Sequence, residues 1–167
     1  MLFAIALLIF PAFMVAAAIS DLLTMRIPNW LVLTCAGSFF AVALLAGLPL
    51  GAIGVHVLVG LGFLAVTFGM FAAGWIGGGD AKFAAATALW LGTGAALPYL
   101  FVTAIAGGVL AIVMVVMRRF ALPQGLSEVA WIARLHNRIT GIPYGIALAI
   151  GGLVVYPQTA IFSLLTA

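Results

Sequence analysis

Residues 99–117 read YLFVTAIAGGVLAIVMVVM, a run with no charged side chain. A helix needs about 20 apolar residues to cross the hydrocarbon core of a bilayer. The apolar residues are continuous rather than alternating, which favours a helix over a barrel strand. A helix also satisfies its own backbone hydrogen bonds in lipid. This stretch therefore predicts a membrane-spanning helix.

The same length criterion predicts six spans in the chain. They fall at about 2–20, 30–47, 51–74, 82–97, 99–117 and 142–164. Proline and glycine mark the breaks, as is typical of turns; the break at Leu97-Pro98 is absent if spans four and five form one kinked helix. The predicted fold class is all-α, a polytopic bundle of six transmembrane helices forming one domain over residues 1–167.

Composition supports a membrane protein. The chain has 167 residues, of which 67% are hydrophobic and 5% are charged, and its mean hydropathy is +1.40. About a quarter of the residues of a soluble domain are charged, so a water-soluble monomer and a disordered chain are both excluded. Six basic residues are too few for a nucleic-acid surface, and the single Cys35 excludes an internal disulfide.

The basic residues predict the orientation. With six spans, all of them fall in connections on one side: Arg26, Lys82, Arg118, Arg119, Arg134 and Arg138. The connections near 48–50 and 97–98, on the other side, carry no charge. Because basic residues are retained on the cytoplasmic side, the first set is expected there and both termini outside.

One segment outside the spans has helical character. Residues 127–140 begin with Ser127, a favourable helix cap, and place Trp131, Ile132, Leu135 and Ile139 on one face. We expect a short helix lying in the cytoplasmic interface, with anchoring as its simplest role.

The chain has only three acidic residues, Asp21, Asp80 and Glu128. Asp21 follows the first apolar run and Asp80 opens the fourth, so both are predicted at span ends on the same side. Two carboxyl groups brought close in a partly desolvated site share a proton, which supplies a general acid and a general base for hydrolysis. The alternative is that each aspartate caps a helix.

Several other residues have competing interpretations. Gly77-Gly78-Gly79 would let an extended substrate chain approach Asp80, or it is an ordinary turn. His56, alone in the third span, is expected to hydrogen-bond to a neighbouring helix rather than bind a metal. Three glycine groups are expected to permit close helix packing: Gly60-x-Gly62, Gly107-Gly108 and Gly151-Gly152.

Three sequence elements carry a resemblance to a known family. Residues 77–82, Gly-Gly-Gly-Asp-Ala-Lys, resemble the Gly-x-Gly-Asp-x-Lys motif of prepilin peptidases, the membrane aspartic proteases also called type IV leader peptidases. Asp21 with the downstream Ile27-Pro28-Asn29 is similar to the family's first aspartate and its Ile-Pro-Asn. Pro143-Tyr144-Gly145 resembles a late Pro-aromatic-Gly element.

The resemblance implies an activity. Asp21 and Asp80 would be the catalytic pair, with Gly77, Gly78, Gly79, Lys82, Pro143, Tyr144 and Gly145 shaping the site or binding substrate. The enzyme would remove the basic leader of prepilins or pseudopilins at the cytoplasmic face of the bacterial inner membrane. No metal or cofactor is expected. Lys82 would hold a neighbouring carboxylate ionised or, alternatively, act only as a topology signal.

One departure from the family pattern indicates a subtype. Larger members carry an additional cytoplasmic region with paired Cys-x-x-Cys motifs, which is associated with N-methylation of the cut pilin. This chain has one cysteine and little sequence between Asp21 and the second span. It resembles the short, peptidase-only members of Flp/Tad pilus systems, so methyltransferase activity is not expected.

Two other classes of function are also compatible with the sequence. A small transporter or ion-conducting subunit would use the aspartates as cation or proton ligands, although that function favours carboxylates near the bilayer midplane. A non-catalytic assembly subunit is the third possibility. The sequence does not indicate an oligomeric state.

Overall fold

The computed structural model describes all residues, Met1–Ala167, and contains helices but no strand. The long helices are α1 (Leu2–Thr24), α2 (Asn29–Leu45), α3 (Leu50–Ala72) and α4 (Gly78–Met117). They are followed by α5 (Gln124–Ser127), α6 (Ala130–His136), α7 (Tyr144–Val155), a 3₁₀ turn (Tyr156–Gln158) and α8 (Ala160–Thr166). The all-α fold class is confirmed.

The helices of the structure that are long and apolar enough to span a membrane are fewer than the six predicted spans. Three helices, α1, α3 and α4 (with α4 taken whole, across its break at Gly92), are long and apolar enough to cross a membrane, and α7 with α8, bent by 54°, would make a fourth. Helix α2 is apolar but has only 17 residues. The structure therefore supports a membrane protein with three or four candidate spans, and the count of six stays a prediction.

Proline determines where several helices begin. Pro28, Pro49, Pro123 and Pro143 each occupy the position just before the first residue of a helix. Proline has no N–H to donate to a preceding turn, so it starts a helix more readily than it continues one. Pro11 and Pro98 are the exceptions that lie within helices.

Helix α4 folds back on itself at Gly92, where φ is 65° and ψ is −169°. A Cβ atom at Gly152 would lie 3.2 Å from Thr87 Cγ2, and one at Gly151 would lie 3.2 Å from Thr103 Cβ. In a straight helix Thr87 and Thr103 would be about 24 Å apart, too far to reach adjacent residues of α7. Residues 78–91 and 93–117 therefore lie side by side.

This reversal corrects the predicted break at Leu97-Pro98. Pro98 lies within the helical residues that follow Gly92. The observed φ and ψ at Gly92 belong to a region essentially restricted to glycine. The His56 ring also occupies the space of a side chain, since a Cβ at Gly92 would lie 2.6 Å from His56 Cε1. The predicted hydrogen bond of His56 is confirmed: Nδ1 donates to the Leu89 carbonyl at 2.8 Å.

Aromatic side chains fill the centre of the bundle around Trp90, which has no exposed surface. Its ring centroid lies 5.3 Å from that of Phe10 on α1 and 5.9 Å from that of Phe39 on α2. The indole N–H donates to the Cys35 carbonyl at 2.8 Å. The Trp90 ring of α4 thus joins the aromatic side chains of α1 and α2 in the core.

Only part of the predicted glycine packing is observed. A Cβ at Gly60 would lie 3.1 Å from Leu89 Cβ, and Gly107, Gly151 and Gly152 are equally close to neighbouring helices. Gly62 and Gly108 have no such neighbour within 4 Å. Close packing is confirmed for the first four and is wrong for the last two.

The predicted interfacial helix over 127–140 is shorter than expected. Helix α6 covers only Ala130–His136, and Ser127 ends α5 instead of capping α6. Its hydroxyl donates to the Gln124 carbonyl at 2.6 Å, and no side chain caps the start of α6. Ile139, predicted on the apolar face, lies beyond α6 and is 95% exposed.

At one end of the bundle, basic side chains donate hydrogen bonds to oxygen atoms of other segments of the chain. Arg134 donates to the Leu23 carbonyl, and Arg118 donates to the carbonyls of Leu135 and Gly141. Lys82 Nζ donates to Asn29 Oδ1 at 3.1 Å. The ends of α1 and α4 and the start of α2 therefore meet at this end, which agrees with the charge distribution behind the predicted topology.

Candidate active site

Three distant segments meet at the basic end of the bundle: the end of α1 with the following loop, the start of α4, and the start of α7. The first two enclose a cavity of about 430 Å³. Its walls are formed by Asp21, Met25, Arg26, Ile27, Pro28, Asn29, Gly77, Gly78, Gly79 and Asp80. Both predicted catalytic aspartates thus face the same cavity.

Asp21 lies in the last turn of α1 and is only 5% exposed. Helix α1 ends at Thr24. The next residue, Met25, has a left-handed backbone that stops the helix, and its N–H donates the last hydrogen bond of α1, to the Asp21 carbonyl at 2.7 Å. The Asp21 side chain in turn accepts a hydrogen bond from the Gly145 N–H, at 2.7 Å to Oδ2. Gly145 is the second residue of α7, where N–H groups have no acceptor within their own helix. The Asp21 carboxyl group therefore accepts a hydrogen bond from an otherwise unpaired N–H at the start of a different helix.

Asp80 is the third residue of α4 and is half-buried. An acidic residue in the first turn of a helix is stabilised by the positive end of the helix dipole. A Cβ at Gly77 would lie 2.9 Å from Asp80 Oδ2. The carboxyl group therefore folds back over Gly77, in space that only a glycine leaves free.

Ile27 connects the walls of the site. This buried residue lies in the loop between α1 and α2. Its carbonyl oxygen would be 3.4 Å from a Cβ at Gly79, and its Cδ1 would be 2.8 Å from a Cβ at Gly145. Ile27 thus packs against the glycine segment that precedes Asp80 and against the residue that binds Asp21.

The remaining predicted site residues contribute less directly. Pro143 is buried and precedes α7, and Tyr144 packs on Gly107, since a Cβ there would lie 2.6 Å from the Tyr144 hydroxyl. Neither lines the cavity. Lys82 is exposed, donates to Asn29, and lines an adjoining apolar cavity instead of the one that holds the aspartates.

The structure adds residues that the predicted site does not include. Arg26 and Asn29 line the cavity, and Ile27 packs beneath it. In the sequence, only their position in the Arg-Ile-Pro-Asn segment after Asp21 points to the site, because this segment carries part of the family resemblance. Sequence spacing alone gave Ile27 and Asn29 no role, because Ile27 packs on Gly79 and Asn29 accepts from Lys82, each more than 50 positions away.

The arrangement is suited to acid–base chemistry with water. Two carboxyl groups, glycine backbone and an arginine surround a cavity large enough for water and a peptide chain. Nowhere in the chain do three or more His, Cys, Asp or Glu side chains come together as potential metal ligands. The pair of carboxyl groups is therefore the reactive feature that the site offers.

Comparison with known proteins identifies one family. The family model described as the type IV leader peptidase family matches residues 8–112. This range covers more than half of the chain and includes Asp21, the three glycines and Asp80, whereas Pro143–Gly145 lies outside it. No curated protein and no solved structure shows a match to the chain.

Proposed function

The chain belongs to the type IV leader peptidase family, and we propose that Asp21 and Asp80 are its catalytic pair. The family match and the long apolar helices support a membrane peptidase that cuts prepilin leaders. The observation that supports the pair is that both carboxyl groups line one cavity of about 430 Å³, together with the Gly77–Gly79 backbone.

The proposed reaction needs only the two carboxyl groups and water. One aspartate, ionised, accepts a proton from the attacking water as its oxygen adds to the scissile carbonyl. The other, protonated, donates a hydrogen bond to that carbonyl oxygen and then helps to protonate the leaving amine. One carboxyl group takes a proton from water and the other gives one to the amine, so the pair still holds a single proton after hydrolysis. Return of that proton to the first donor restores the starting state.

The glycine segment supports access by a peptide substrate. Gly77, Gly78 and Gly79 form the wall of the cavity next to Asp80, and they contribute no side chain of their own to it. An extended chain can therefore approach the carboxyl group closely, as glycine permits. We expect the substrate backbone to lie along this segment when the scissile bond is between the aspartates.

The charge distribution supports a cytoplasmic site. Arg26 lines the aspartate cavity, and Lys82 and Arg134 lie at the same end of the bundle. By the rule that basic residues stay on the cytoplasmic side, this end faces the cytoplasm of a bacterial inner membrane. The substrates would be prepilins or pseudopilins cut just before their hydrophobic segment.

The short connection between α1 and α2 supports the peptidase-only subtype. Only four residues, 25–28, separate the two helices, which leaves no room for an inserted domain. Cys35, the single cysteine, is buried in α2. We therefore propose an enzyme of the Flp/Tad type that cuts its substrate without methylating it.

A transport function receives no comparable support. Transport sites formed by broken helices lie near the bilayer midplane, whereas Asp21 is in the last turn of α1 and Asp80 in the first turn of α4. Helix α4 does break, but the break is at Gly92 beside His56 and not at an aspartate.

The test compares the three acidic residues of the chain. Asp21→Asn and Asp80→Asn should each abolish cleavage of a prepilin by the purified protein in lipid vesicles, with products identified by mass spectrometry. Asparagine keeps an acceptor oxygen for the Gly145 N–H, so the change removes acid–base function while allowing the hydrogen bond. Glu128→Gln, at an exposed residue outside the cavity, is the matched control and should retain activity. Full activity of either asparagine variant would overturn the proposed pair.

A further inference from the structure

A second, apolar cavity adjoins the aspartate cavity. It has a volume of about 460 Å³ and lies between α2, α3 and the first part of α4. We call it the apolar cleft; its walls include Val32, Ala36 and Phe40 of α2, Leu61 and Leu64 of α3, and Ala85 of α4. Asn29 lines both cavities, so the cleft continues directly from the site that holds the aspartates.

Contacts between side chains of neighbouring helices mark the two ends of the apolar cleft. At its far end Phe39 of α2 stacks on His56 of α3, with ring centroids 5.3 Å apart. Elsewhere α2 and α3 barely touch, because each packs mainly on other helices. At the end towards the aspartates, Lys82 of α4 donates a hydrogen bond to Asn29 of α2, and both residues line the cleft.

The apolar cleft is open sideways. Leu33 on α2 and Leu61 on α3 form its outer edges and are 70% and 56% exposed. An apolar chain could therefore enter it laterally from the bilayer. Small residues such as Gly60, Ala36 and Ala85 form part of its wall, as is typical of close helix packing in lipid.

The size of the cleft limits what it can hold. Ten residues of α-helix with their side chains occupy about 1,000 Å³, more than twice the volume of the cleft. The cleft therefore accommodates side chains from one face of a passing helix and not a whole helix.

We propose that the apolar cleft binds the hydrophobic segment of the substrate that directly follows the scissile bond. This inference rests on the proposed function and identifies the surface that holds the substrate. A substrate cut just before its hydrophobic segment changes from polar to apolar at the scissile bond. The polarity of the protein surface changes in the same way at Asn29. On one side of this residue are the aspartates and glycine backbone, and on the other is an apolar surface that runs between α2 and α3.

Disulfide cross-linking tests this inference without depending on catalysis. The probe is a synthetic peptide with a basic leader, an apolar segment of about 20 residues, and one cysteine about one helical turn after the scissile bond. The enzyme carries Cys35→Ala, Asp21→Asn and Asp80→Asn, with Leu61→Cys in the cleft. Leu58→Cys and Val66→Cys, on exposed parts of the same helix outside the cleft, are the matched controls.

We expect oxidation to link the peptide to Leu61→Cys several times more efficiently than to either control, in vesicles of phosphatidylethanolamine and phosphatidylglycerol. Equal yields at all three positions, or higher yields at a control, would mean that lipid fills the cleft and would overturn the inference. Cleavage of the same peptide by the unmodified enzyme is measured in parallel. Cleavage without preferential cross-linking refutes only the cleft, whereas a failure to cleave any prepilin counts against the proposed function itself.

A second variant tests the same cleft through kinetics. Ala36→Phe fills it from α2 and should raise KM about tenfold or more for a substrate with the full apolar segment, with a smaller effect on kcat. Ala41→Phe, on an exposed part of α2 outside the cleft, should leave KM unchanged. For a peptide truncated soon after the scissile bond, Ala36→Phe and the unmodified enzyme should have similar KM values. A KM that Ala36→Phe leaves unchanged for the full segment would contradict substrate binding in the cleft.

Discussion

The Gly145 N–H donates a 2.7 Å hydrogen bond to Asp21 Oδ2, across 124 positions of sequence. The contact fixes the carboxyl group of a residue at the end of α1 by means of the first turn of α7. It also explains why residue 145 is a glycine. A Cβ there would lie 2.9 Å from Asp21 Oδ2 and 2.8 Å from Ile27 Cδ1, so any side chain would displace the aspartate or the loop.

Gly145→Ala should therefore impair catalysis more than folding. The added methyl group moves the Asp21 carboxyl group away from its position in the cavity, and a shift of about 1 Å in a catalytic group can cost about 100-fold in rate. We expect a decrease of that order in kcat/KM for prepilin cleavage. Gly141→Ala is the control, since a Cβ at Gly141 has no neighbour within 4 Å. If Gly145→Ala cleaves as fast as Gly141→Ala, the position of Asp21 is not important for the reaction.

Gly77→Ala should act on the other aspartate. A Cβ at this position would lie 2.9 Å from Asp80 Oδ2, so the carboxyl group must rotate away from the backbone over which it folds. We expect kcat to fall about 10- to 100-fold, with little change in KM. Steady-state cleavage kinetics over a range of substrate concentrations will separate the two parameters.

Gly79→Ala gives a useful contrast with that variant. The nearest atom to a Cβ at Gly79 is the Ile27 carbonyl oxygen at 3.4 Å, which is an ordinary van der Waals contact, so the free enzyme can accommodate the methyl group. If a substrate backbone runs along this segment, the methyl group should instead raise KM. Identical effects of the two alanines on kcat and KM would contradict this division of roles.

The sequence predicts the chemistry of the site better than its geometry. Asp21 and Asp80 stand out because they are two of only three acidic residues, both at the ends of apolar runs. Their common cavity was an inference from topology, and the structure brings them to it. The bond from Gly145 and the packing of Ile27 could not be predicted, since both depend on contacts between helices that are far apart in sequence.

The position of the reversal within α4 could not be predicted from the sequence either. Gly92, Gly94 and Pro98 lie close together in sequence, and local preference favours a break at the proline. The structure turns at Gly92, where the His56 ring occupies the space of a side chain, whereas nothing lies within 4 Å of a Cβ at Gly94. That ring is held in turn by its bond to the Leu89 carbonyl. Nothing local distinguishes Gly92 from Gly94, so the deciding interaction is tertiary.

Gly107→Ala should affect the site from a distance. A Cβ at Gly107 would lie 2.5 Å from Tyr144 Cε2, so the ring must move, and Tyr144 directly precedes the residue that binds Asp21. We expect a decrease of about tenfold in kcat/KM, smaller than for Gly145→Ala. Gly108→Ala is the matched control, because a Cβ at the adjacent residue has no neighbour within 4 Å. Equal activities of the two variants would show that the position of Tyr144 does not affect the site.

Gly92→Ala should destabilise the fold rather than alter the chemistry. Alanine at the observed φ of 65° and ψ of −169° carries a backbone strain of about 1–3 kcal/mol. Its Cβ also displaces the His56 ring and so weakens the bond to Leu89, which adds about 1–3 kcal/mol for a buried acceptor left without its partner. The free energy of unfolding in mixed micelles, measured by titration with a denaturing detergent, should fall by the sum of these effects.

Two further variants separate strain from the displacement of His56. Gly94→Ala lies at a helical residue where a Cβ has no neighbour within 4 Å. It should change the free energy of unfolding by less than about 1 kcal/mol, which is the difference between alanine and glycine in a helix. In a His56→Ala background the ring is already gone, so Gly92→Ala should cost only the backbone strain. The difference between the two backgrounds is the coupling energy of the pair. A cost of Gly92→Ala that is the same with and without His56 would show that the ring does not contribute to the reversal of α4.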